Sequence, residues 1–201
     1  GDVRFLHLTT AATSASSTLP AETAGLIDDD DRTIIGDPNP DVYGNIFTTL
    51  RYKNLSLQAV FNYSVGNDVY NYQRSLLEGG NLFINQTTAM NNRWNTEGQQ
   101  TDIPRVSYGD TMGNARFSDR WIEDGSYLKL ASLTLSYSLP IQSTYLQGIT
   151  VWGNASNIFT LTKYLGSDPD CVMAGGILAQ GIDRGLLAAG RSFSLGVNIN
   201  L

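Results

Sequence analysis

The sequence predicts an all-β fold: an antiparallel sheet whose strands cross a membrane as part of a β-barrel. Three observations support this prediction. Long stretches alternate apolar or aromatic residues with small polar ones, a period of two that places successive side chains on opposite faces of a strand. These stretches carry few of the charged residues, which are only 16% of the chain. The connections between them are alternately long and short, which is typical of outer-membrane barrels.

Composition narrows the possible classes of function. Hydrophobic residues make up 41% of the 201 residues, so wholesale disorder is not expected. The net charge is −6 and no basic run occurs, which argues against a nucleic-acid partner. No apolar run reaches the roughly 18 residues of a transmembrane helix. No secretory signal opens the chain, so a targeting segment is expected to have been removed or to lie elsewhere.

The first strong alternation begins at Gly44. Residues 1–43 before it hold a short β-like run at 1–8, a Ser/Thr/Ala-rich stretch and an acidic turn, and we expect them to form a loop segment. Alternating runs at 44–52 and 55–64 flank the dipeptide Lys53-Asn54. Two such runs around a two-residue turn predict a β-hairpin.

The next two segments are a long loop and a long strand. Residues 67–120 are rich in Asn, Gly and Arg, and we expect an irregular loop with a short helix near 71–77. In the strand 126–139, one face is apolar and the other carries small hydroxyl groups. Strict alternation places Tyr127 and Lys129 on the same face as Leu133 and Leu135.

A short turn around 140–148 leads to the strand 149–162, and a long loop at 163–190 leads to the last strand, 191–201. If the C-terminus is periplasmic, every long connection lies outside the cell and every short turn inside. Five strands cannot close a membrane barrel, because the edge strands would leave unpaired backbone groups in hydrocarbon. The chain is therefore predicted to be part of a larger protein, with 44–201 supplying barrel strands.

Several stretches in a fixed order point to one family. They are DDRTIIGDPNPDVYGNIFTTLRYKNLSLQAVFNYSVGNDVYN, RFSDRWIEDGSYLKLASLTLSYSLP, NIFTLTKYLGSDP, and GIDRG followed by RSFSLGVNINL. With them the sequence resembles the C-terminal part of the SusC/RagA-like family, the TonB-dependent outer-membrane transporters of Bacteroidetes.

The resemblance implies a fold, a location and partners. It implies a barrel of roughly 22 strands, of which this chain supplies the last five, with loops 67–120 and 163–190 facing the cell exterior. It implies a remaining N-terminal portion that holds the other strands, a plug and the segment that binds TonB. It also implies a SusD-like surface lipoprotein as a lid, contact with membrane lipid, and import of oligosaccharides or peptides across the bacterial outer membrane.

A cation site is the one cofactor question that the sequence raises. The family commonly carries a DxNGDG-like loop suited to calcium, and here only the run Asp28–Asp31 remains, with Asp28 and Asp30 as candidate ligands. The run lacks alternating Asp/Asn ligands and a central glycine turn. A solvated acidic turn is therefore the favoured interpretation, and no cofactor is expected.

Aromatic and arginine side chains in loop 67–120 are the candidate substrate-binding residues. Aromatic faces stack on sugar rings or peptide side chains, and arginine offers a planar fork to carboxylates. The alternative is that they pack the loop onto the barrel rim or belong to the interfacial aromatic girdle. The candidates are Tyr70, Tyr72, Arg74, Arg93, Trp94, Arg105 and Tyr108.

No catalytic residues are predicted, since the only histidine, His7, has no nearby Ser or Cys in a nucleophile context. Two functions from different classes remain. One is the transporter, and the other is a soluble secreted β-sandwich that acts as a carbohydrate-binding module. A sandwich would bury the apolar residues of the strands against a second sheet, whereas a barrel leaves them exposed. The residues that distinguish the two are Leu133, Leu135, Leu195, Val197 and Ile199.

Overall fold

A computed structural model describes residues 1–6, 27, 31–141, 147–171 and 179–200. The chain divides into two compact units. Unit 1 comprises residues 1–36 and 74–121, and unit 2 comprises residues 37–73 and 122–201. The predicted division at residue 43 concerns position relative to a membrane, and it stays a prediction.

Unit 2 contains the strands that the structure describes. The strands are β1 Val42–Tyr52, β2 Leu55–Val65, β3 Asp68–Asn71, β4 Ile122–Asp124, β5 Tyr127–Leu139, β6 Gly148–Thr162, β7 Ile182–Asp183 and β8 Ser192–Asn200. The long strands form a five-stranded sheet in the order β1-β2-β5-β6-β8, in which all neighbours are antiparallel. Lys53, at a φ of 53°, lies in the predicted two-residue turn between β1 and β2. The five predicted long strands are thus confirmed to within two residues at their ends.

The five-stranded sheet has two chemically different faces. Residues directly opposite each other across antiparallel strands share a face. One row runs Leu57, Leu135, Gly153, Leu195 across four strands, and the adjacent row runs Gln58, Thr134, Asn154, Ser194. We call the first the apolar face, which also carries Leu133, Val197 and Ile199, and the second the polar face, which also carries Ser132, Ser136 and Asn198.

The predicted face of Tyr127 and Lys129 is wrong. The pairing register shifts at Ala131: Val60 pairs with Ser132, but the next residue of β2 pairs with Leu130. The extra residue is a β-bulge, and one extra residue exchanges the two faces for everything beyond it. Leu128 and Leu130 therefore join the apolar face, whereas Tyr127 and Lys129 lie on the polar face.

The apolar face is open in the structure. Leu195 is 88% exposed, and Leu135, Val197 and Ile199 are each about half exposed or more. A β-sandwich would have buried these side chains against a second sheet. The exposure agrees with the barrel prediction and not with the sandwich.

The small second sheet was not predicted from the sequence. It has the order β4-β3-β7, and β3 pairs with β7 in parallel over only two residues. Strands this short carry no alternation that a sequence can reveal. The predicted helix near 71–77 is confirmed as α1, Tyr72–Leu77. Among the described residues, no helix has the length and apolar composition that crossing a membrane requires.

The described part of unit 1 contains the end of α1 and short 3₁₀ helices, among them Thr88–Asn92, Tyr108–Asp110 and Asp119–Trp121. The predicted β-like run at the start of the chain is wrong for residues 1–6, which form no strand. Instead, the backbone N–H of Val3 donates to Oδ1 of Asn114, and the backbone N–H of Arg105 donates to the carbonyl of Gly1. These bonds attach the first residues to positions 105 and 114 of the same unit.

Candidate functional site

The polar face carries a connected set of small hydrogen-bonding groups. The amide nitrogen of Asn154 donates to the hydroxyl oxygens of Ser132 at 2.8 Å and Thr134 at 2.7 Å. The hydroxyl of Ser156 donates to the amide oxygen of Asn154 at 2.9 Å. Small polar groups that satisfy one another in this way make a face suited to contact with water or a polar ligand.

A buried ion pair lies on the polar face beyond the bulge. Lys129 is only 4% exposed, and its Nζ lies 2.8 Å from Oδ2 of Asp168 and 3.1 Å from Oδ2 of Asp170. The phenol of Tyr127 donates to the other oxygen of Asp170 at 2.8 Å. A buried charge needs such partners. This cluster attaches residues 168–170, which follow β6, to the strand β5.

Two further acidic residues attach the same loop to the small sheet. The carboxylate of Glu123 accepts from the backbone N–H of Leu165 at 2.8 Å and from the amide nitrogen of Asn71 at 3.3 Å. The phenol of Tyr164 donates to the buried carboxylate of Asp183. Burial first, and then this carboxylate, raise the pKa of the Tyr164 phenol above its ordinary value of 10.0. These bonds attach residues 164 and 165 to the small sheet.

Little in the sequence indicates the cluster of Lys129, Asp168 and Asp170. The one available signal was Lys129 itself, the single charge in a long uncharged strand. A charge there requires a partner if it is buried. Its partners lie about forty residues away, so only the fold brings them together.

The candidate arginines in unit 1 are engaged in internal contacts. Nε of Arg74 lies 2.8 Å from Glu78, and Nε of Arg105 lies 2.8 Å from Asp2. Arg93 donates to the carbonyl of Met90 at 3.1 Å. Hydrogen bonds from Asn114 and then from Arg105 lower the pKa of Asp2. These contacts hold parts of unit 1 together. A role for the three arginines in substrate binding stays a prediction.

The candidate aromatics fall into separate places. In unit 2, the rings of Tyr70 and Tyr72 are 6.2 Å apart and tilted by 46°. In unit 1, the ring of Trp94 lies against Gly1, where an added Cβ would approach within 2.4 Å. Tyr108 is exposed and stacks on Phe83, a residue that the sequence prediction did not include, with ring centroids 4.5 Å apart. Of the candidates, Tyr108 is the one whose ring is most open to a partner.

Trp121 is the buried centre of unit 1. Its indole N–H donates to the carbonyl of Arg116, and the guanidinium of Arg120 lies 4.3 Å from the ring centroid. Arg74 lies over the same ring at 5.7 Å. Burial and the nearby Arg74 charge lower the pKa of Arg120. The two guanidinium groups and the indole ring make cation–π contacts that stabilise unit 1.

The candidate cation ligands Asp28 and Asp30 lie outside the described residues. Across the part of the chain that the structure describes, no group of three or more His, Cys, Asp or Glu side chains is arranged to hold a metal ion.

The chain is similar to several known proteins, although no protein-family model matches it. It is 34% identical over 183 residues to TonB-dependent receptor P3 of Formosa agariphila, a match that covers 87% of this chain and 18% of that protein. It is 27% identical over 179 residues to TonB-dependent receptor SusC of Bacteroides thetaiotaomicron, covering 87% of this chain and 16% of that protein.

Solved structures give the same assignment. The RagAB peptide transporter matches with a TM-score of 0.72 and 27% identity, over 86% of this chain and 19% of that one. The closed-closed state of the RagAB peptide importer matches with a TM-score of 0.69 and 26% identity, over 87% of this chain and 20% of that one. The chain thus spans about a fifth of the length of its relatives. Its fragment of β-barrel belongs to the SusC/RagA-like family of TonB-dependent receptors.

Proposed function

We propose that the chain is part of a TonB-dependent transporter of the bacterial outer membrane, which imports oligosaccharides or peptides together with a SusD-like surface lipoprotein. The observation that carries this proposal is the two-faced sheet: an exposed apolar face suited to lipid and a hydrogen-bonded polar face suited to a wet lumen. The names of the relatives support TonB dependence. The solved neighbours are described as peptide importers, which supports peptides as one substrate class.

The rest of the transporter is the first proposed partner. Strands β1 and β8 form the two edges of the five-stranded sheet in the described residues. Each would present a row of unpaired backbone groups to hydrocarbon, at a cost of several kcal/mol per group. Neighbouring strands from the remainder of a longer protein would pair with both edges. In this arrangement loops 67–120 and 163–190 face the cell exterior. The proposed transport function requires no catalysis by this chain.

The register of β8 gives a direct test of the proposal. Val197 lies on the apolar face and Asn198 on the polar face. Val197→Arg places a cation in lipid, which costs about 2–4 kcal/mol at the bilayer midplane. We expect much less of this variant in the outer membrane of cells that produce the whole transporter. Asn198→Arg is the matched control and should assemble normally. Equal surface amounts of the two variants would contradict the assignment of the faces.

The SusD-like lipoprotein is the second proposed partner, and an exposed apolar cluster in unit 1 supports it. Phe83 is 89% exposed, Tyr108 stacks on it, and Val106 and Leu82 beside them are also exposed. Backbone bonds from Ser107 to Gly80 and from Gly109 to Asn81 hold the two segments side by side. Exposed apolar clusters of this kind commonly mark protein interfaces.

Replacing both rings of this cluster tests the proposed lid contact. The double variant Phe83→Ser, Tyr108→Ser should retain less of the co-produced lipoprotein when the transporter is purified, because aromatic anchors contribute much of the binding energy of an interface. Glu97→Ser is the control, because Glu97 is another exposed residue of loop 67–120. Retention of the lipoprotein by both variants alike would contradict this docking surface.

A further inference from the structure

A groove lies at one end of the apolar face of the five-stranded sheet. Its volume is about 650 Å³, within the range of roughly 300–1,000 Å³ that small-molecule sites have. Its floor is a row of apolar-face residues that lie opposite one another on β2, β5 and β6, namely Tyr63, Leu128 and Leu161. Its polar side includes Asp124 and Lys163. We call this site the rim groove.

The floor of the rim groove is apolar and open. Leu128 lies between Tyr63 and Leu161 in the sheet, and Leu161 is 60% exposed. The ring of Tyr63 leans toward β1, because a Cβ added at Gly44 would come within 3.1 Å of its hydroxyl oxygen. The next row of the apolar face continues the same surface toward the middle of the sheet with Phe61, Leu130 and Phe159. A continuous apolar strip of this kind suits a hydrocarbon chain.

Two charged side chains of opposite sign, Asp124 and Lys163, are the only charged groups in the described lining. The carboxylate of Asp124 accepts from the backbone N–H of Ser126 at 2.9 Å. Hydrogen bonds from Ser126 lower the pKa of Asp124, and the charge of Lys163 lowers it further. Lys163 itself is exposed, and no ion pair among the described residues includes it. Its ammonium group is therefore open to an anionic partner.

The position of the rim groove restricts the molecule that reaches both of its sides. The groove lies where β2, β5 and β6 meet the long connections, at the end of the sheet opposite the short turn at Lys53. In the proposed membrane location this end is level with the headgroups of the outer leaflet. The floor then faces acyl chains, while a lysine at this level reaches outward to headgroups.

Lipopolysaccharide, the main lipid of the outer leaflet of bacterial outer membranes, matches this arrangement. Its headgroup is a phosphorylated amino sugar that carries several acyl chains. A phosphate group complements the ammonium group of Lys163. The hydroxyl and amide groups of the sugar are donors that suit the carboxylate of Asp124. One molecule thus satisfies the apolar floor, the cation and the carboxylate together.

We propose that the rim groove binds lipopolysaccharide, with an acyl chain along the apolar floor and a phosphate group of the headgroup on Lys163. The proposal rests on the proposed membrane location. It concerns the lipid side of the sheet, which is opposite to the polar face that lines the proposed lumen, so it assigns these residues a role separate from the transported substrate.

Binding measurements on the whole transporter, purified in detergent, test the rim groove. The probes are lipid A with its two phosphates, the same lipid A without phosphates, and phosphatidylglycerol. Lys163→Gln removes the cation of the groove. Lys53→Gln is the matched control, because Lys53 is an exposed lysine in the turn at the opposite end of the sheet. Equal amounts of parent and variants in the outer membrane establish that each assembles.

We expect lipid A to bind, and Lys163→Gln to raise its Kd about tenfold, because a hydrogen bond to a charged group is lost. Lys53→Gln should leave this Kd unchanged. Lipid A without phosphates should bind the parent and Lys163→Gln alike, because the proposed partner of Lys163 is then missing. The proposal is overturned if lipid A does not bind, if the two lysine variants bind it equally, or if phosphatidylglycerol binds the parent as tightly as lipid A does.

TonB-dependent uptake by cells that produce the same variants is measured separately. Failure of lipid A binding with uptake intact would remove the rim groove as a lipid site and leave the transport function standing. Absence of any TonB-dependent uptake by the parent, with lipid A bound as expected, would instead remove the transport function.

Discussion

At the scale of single residues, Lys129 shows how one buried charge organises distant parts of the chain. Its ammonium group holds Asp168 and Asp170 within 3.1 Å, and Asp170 in turn holds Tyr127. Without the bulge at Ala131, the same side chain would have faced the apolar side, where no carboxylate could neutralise it. The position of one backbone irregularity therefore decides whether this lysine can be tolerated.

Removing one partner from this ion pair should be more damaging than removing both. Lys129→Met leaves Asp168 buried without a counter-charge, which costs about 3–5 kcal/mol. We expect a lower urea midpoint of unfolding for this variant of the whole transporter in detergent, followed by circular dichroism. The double variant Lys129→Met, Asp168→Leu should recover part of the loss. A single variant as stable as the parent would show that the pair is not a strong anchor.

At the scale of elements, the bulge in β5 is the feature with the clearest consequence. On the C-terminal side of the bulge, Leu133 and Leu135 lie on the apolar face. On its N-terminal side, Leu128 and Leu130 lie on that face. The strand therefore keeps one continuous apolar face, although the alternation of apolar and polar residues in its sequence shifts by one position at the bulge. Asn157 in β6, at a φ of 54°, lies beside the same irregularity, since β6 contains an extra residue in its pairing with β5.

Cysteine labelling tests the change of face. In a Cys171→Ser background of the whole transporter, single cysteines replace Leu128, Thr134 or Leu135, and outer-membrane vesicles are treated with a water-soluble maleimide. We expect cysteine at 128 to resist labelling as cysteine at 135 does, because lipid covers both. Strict alternation would instead group 128 with 134. Labelling of 128 at the rate of 134 would therefore contradict the bulge.

At the scale of the whole molecule, the sheet has an exposed apolar face and two unpaired edges. The side chains of Leu195, Val197 and Ile199 are exposed on that face. In the described residues, β1 and β8 are the edge strands. Exposed strands of this kind pair with other chains when nothing covers them. The chain is consequently expected to need lipid and neighbouring strands to reach a stable state.

Production of residues 1–201 alone tests this expectation. We expect the isolated chain to aggregate in buffer and to stay dispersed only in detergent, since both its apolar face and its edges seek partners. Gel filtration with and without detergent is the measurement. A monodisperse, water-soluble monomer would favour the alternative of a soluble sugar-binding module and would count against the transporter.

Much of the fold follows from local pattern. The hairpin at Lys53-Asn54 and the long strands could be predicted because alternation and turn chemistry act between near neighbours in the chain. The family resemblance rests on stretches in a fixed order that include these strands and parts of the loops between them, and the relatives support it. The candidate site was less accessible, because Arg74 and Arg105 are engaged with Glu78 and Asp2. The i,i+4 spacing of Arg74 and Glu78 can be read from the sequence, but nothing in the sequence indicates the pairing of Arg105 with Asp2, which lies 103 residues away.

The sequence by itself determined which residues form the long strands. It also determined that these strands have one apolar and one polar face, because both features depend on the spacing of residues along the chain. Only the tertiary structure decided which way Lys129 points and which carboxylates neutralise it. Those outcomes depend on strand register and on contacts between residues far apart in sequence, and a single extra residue in one strand is enough to reverse them.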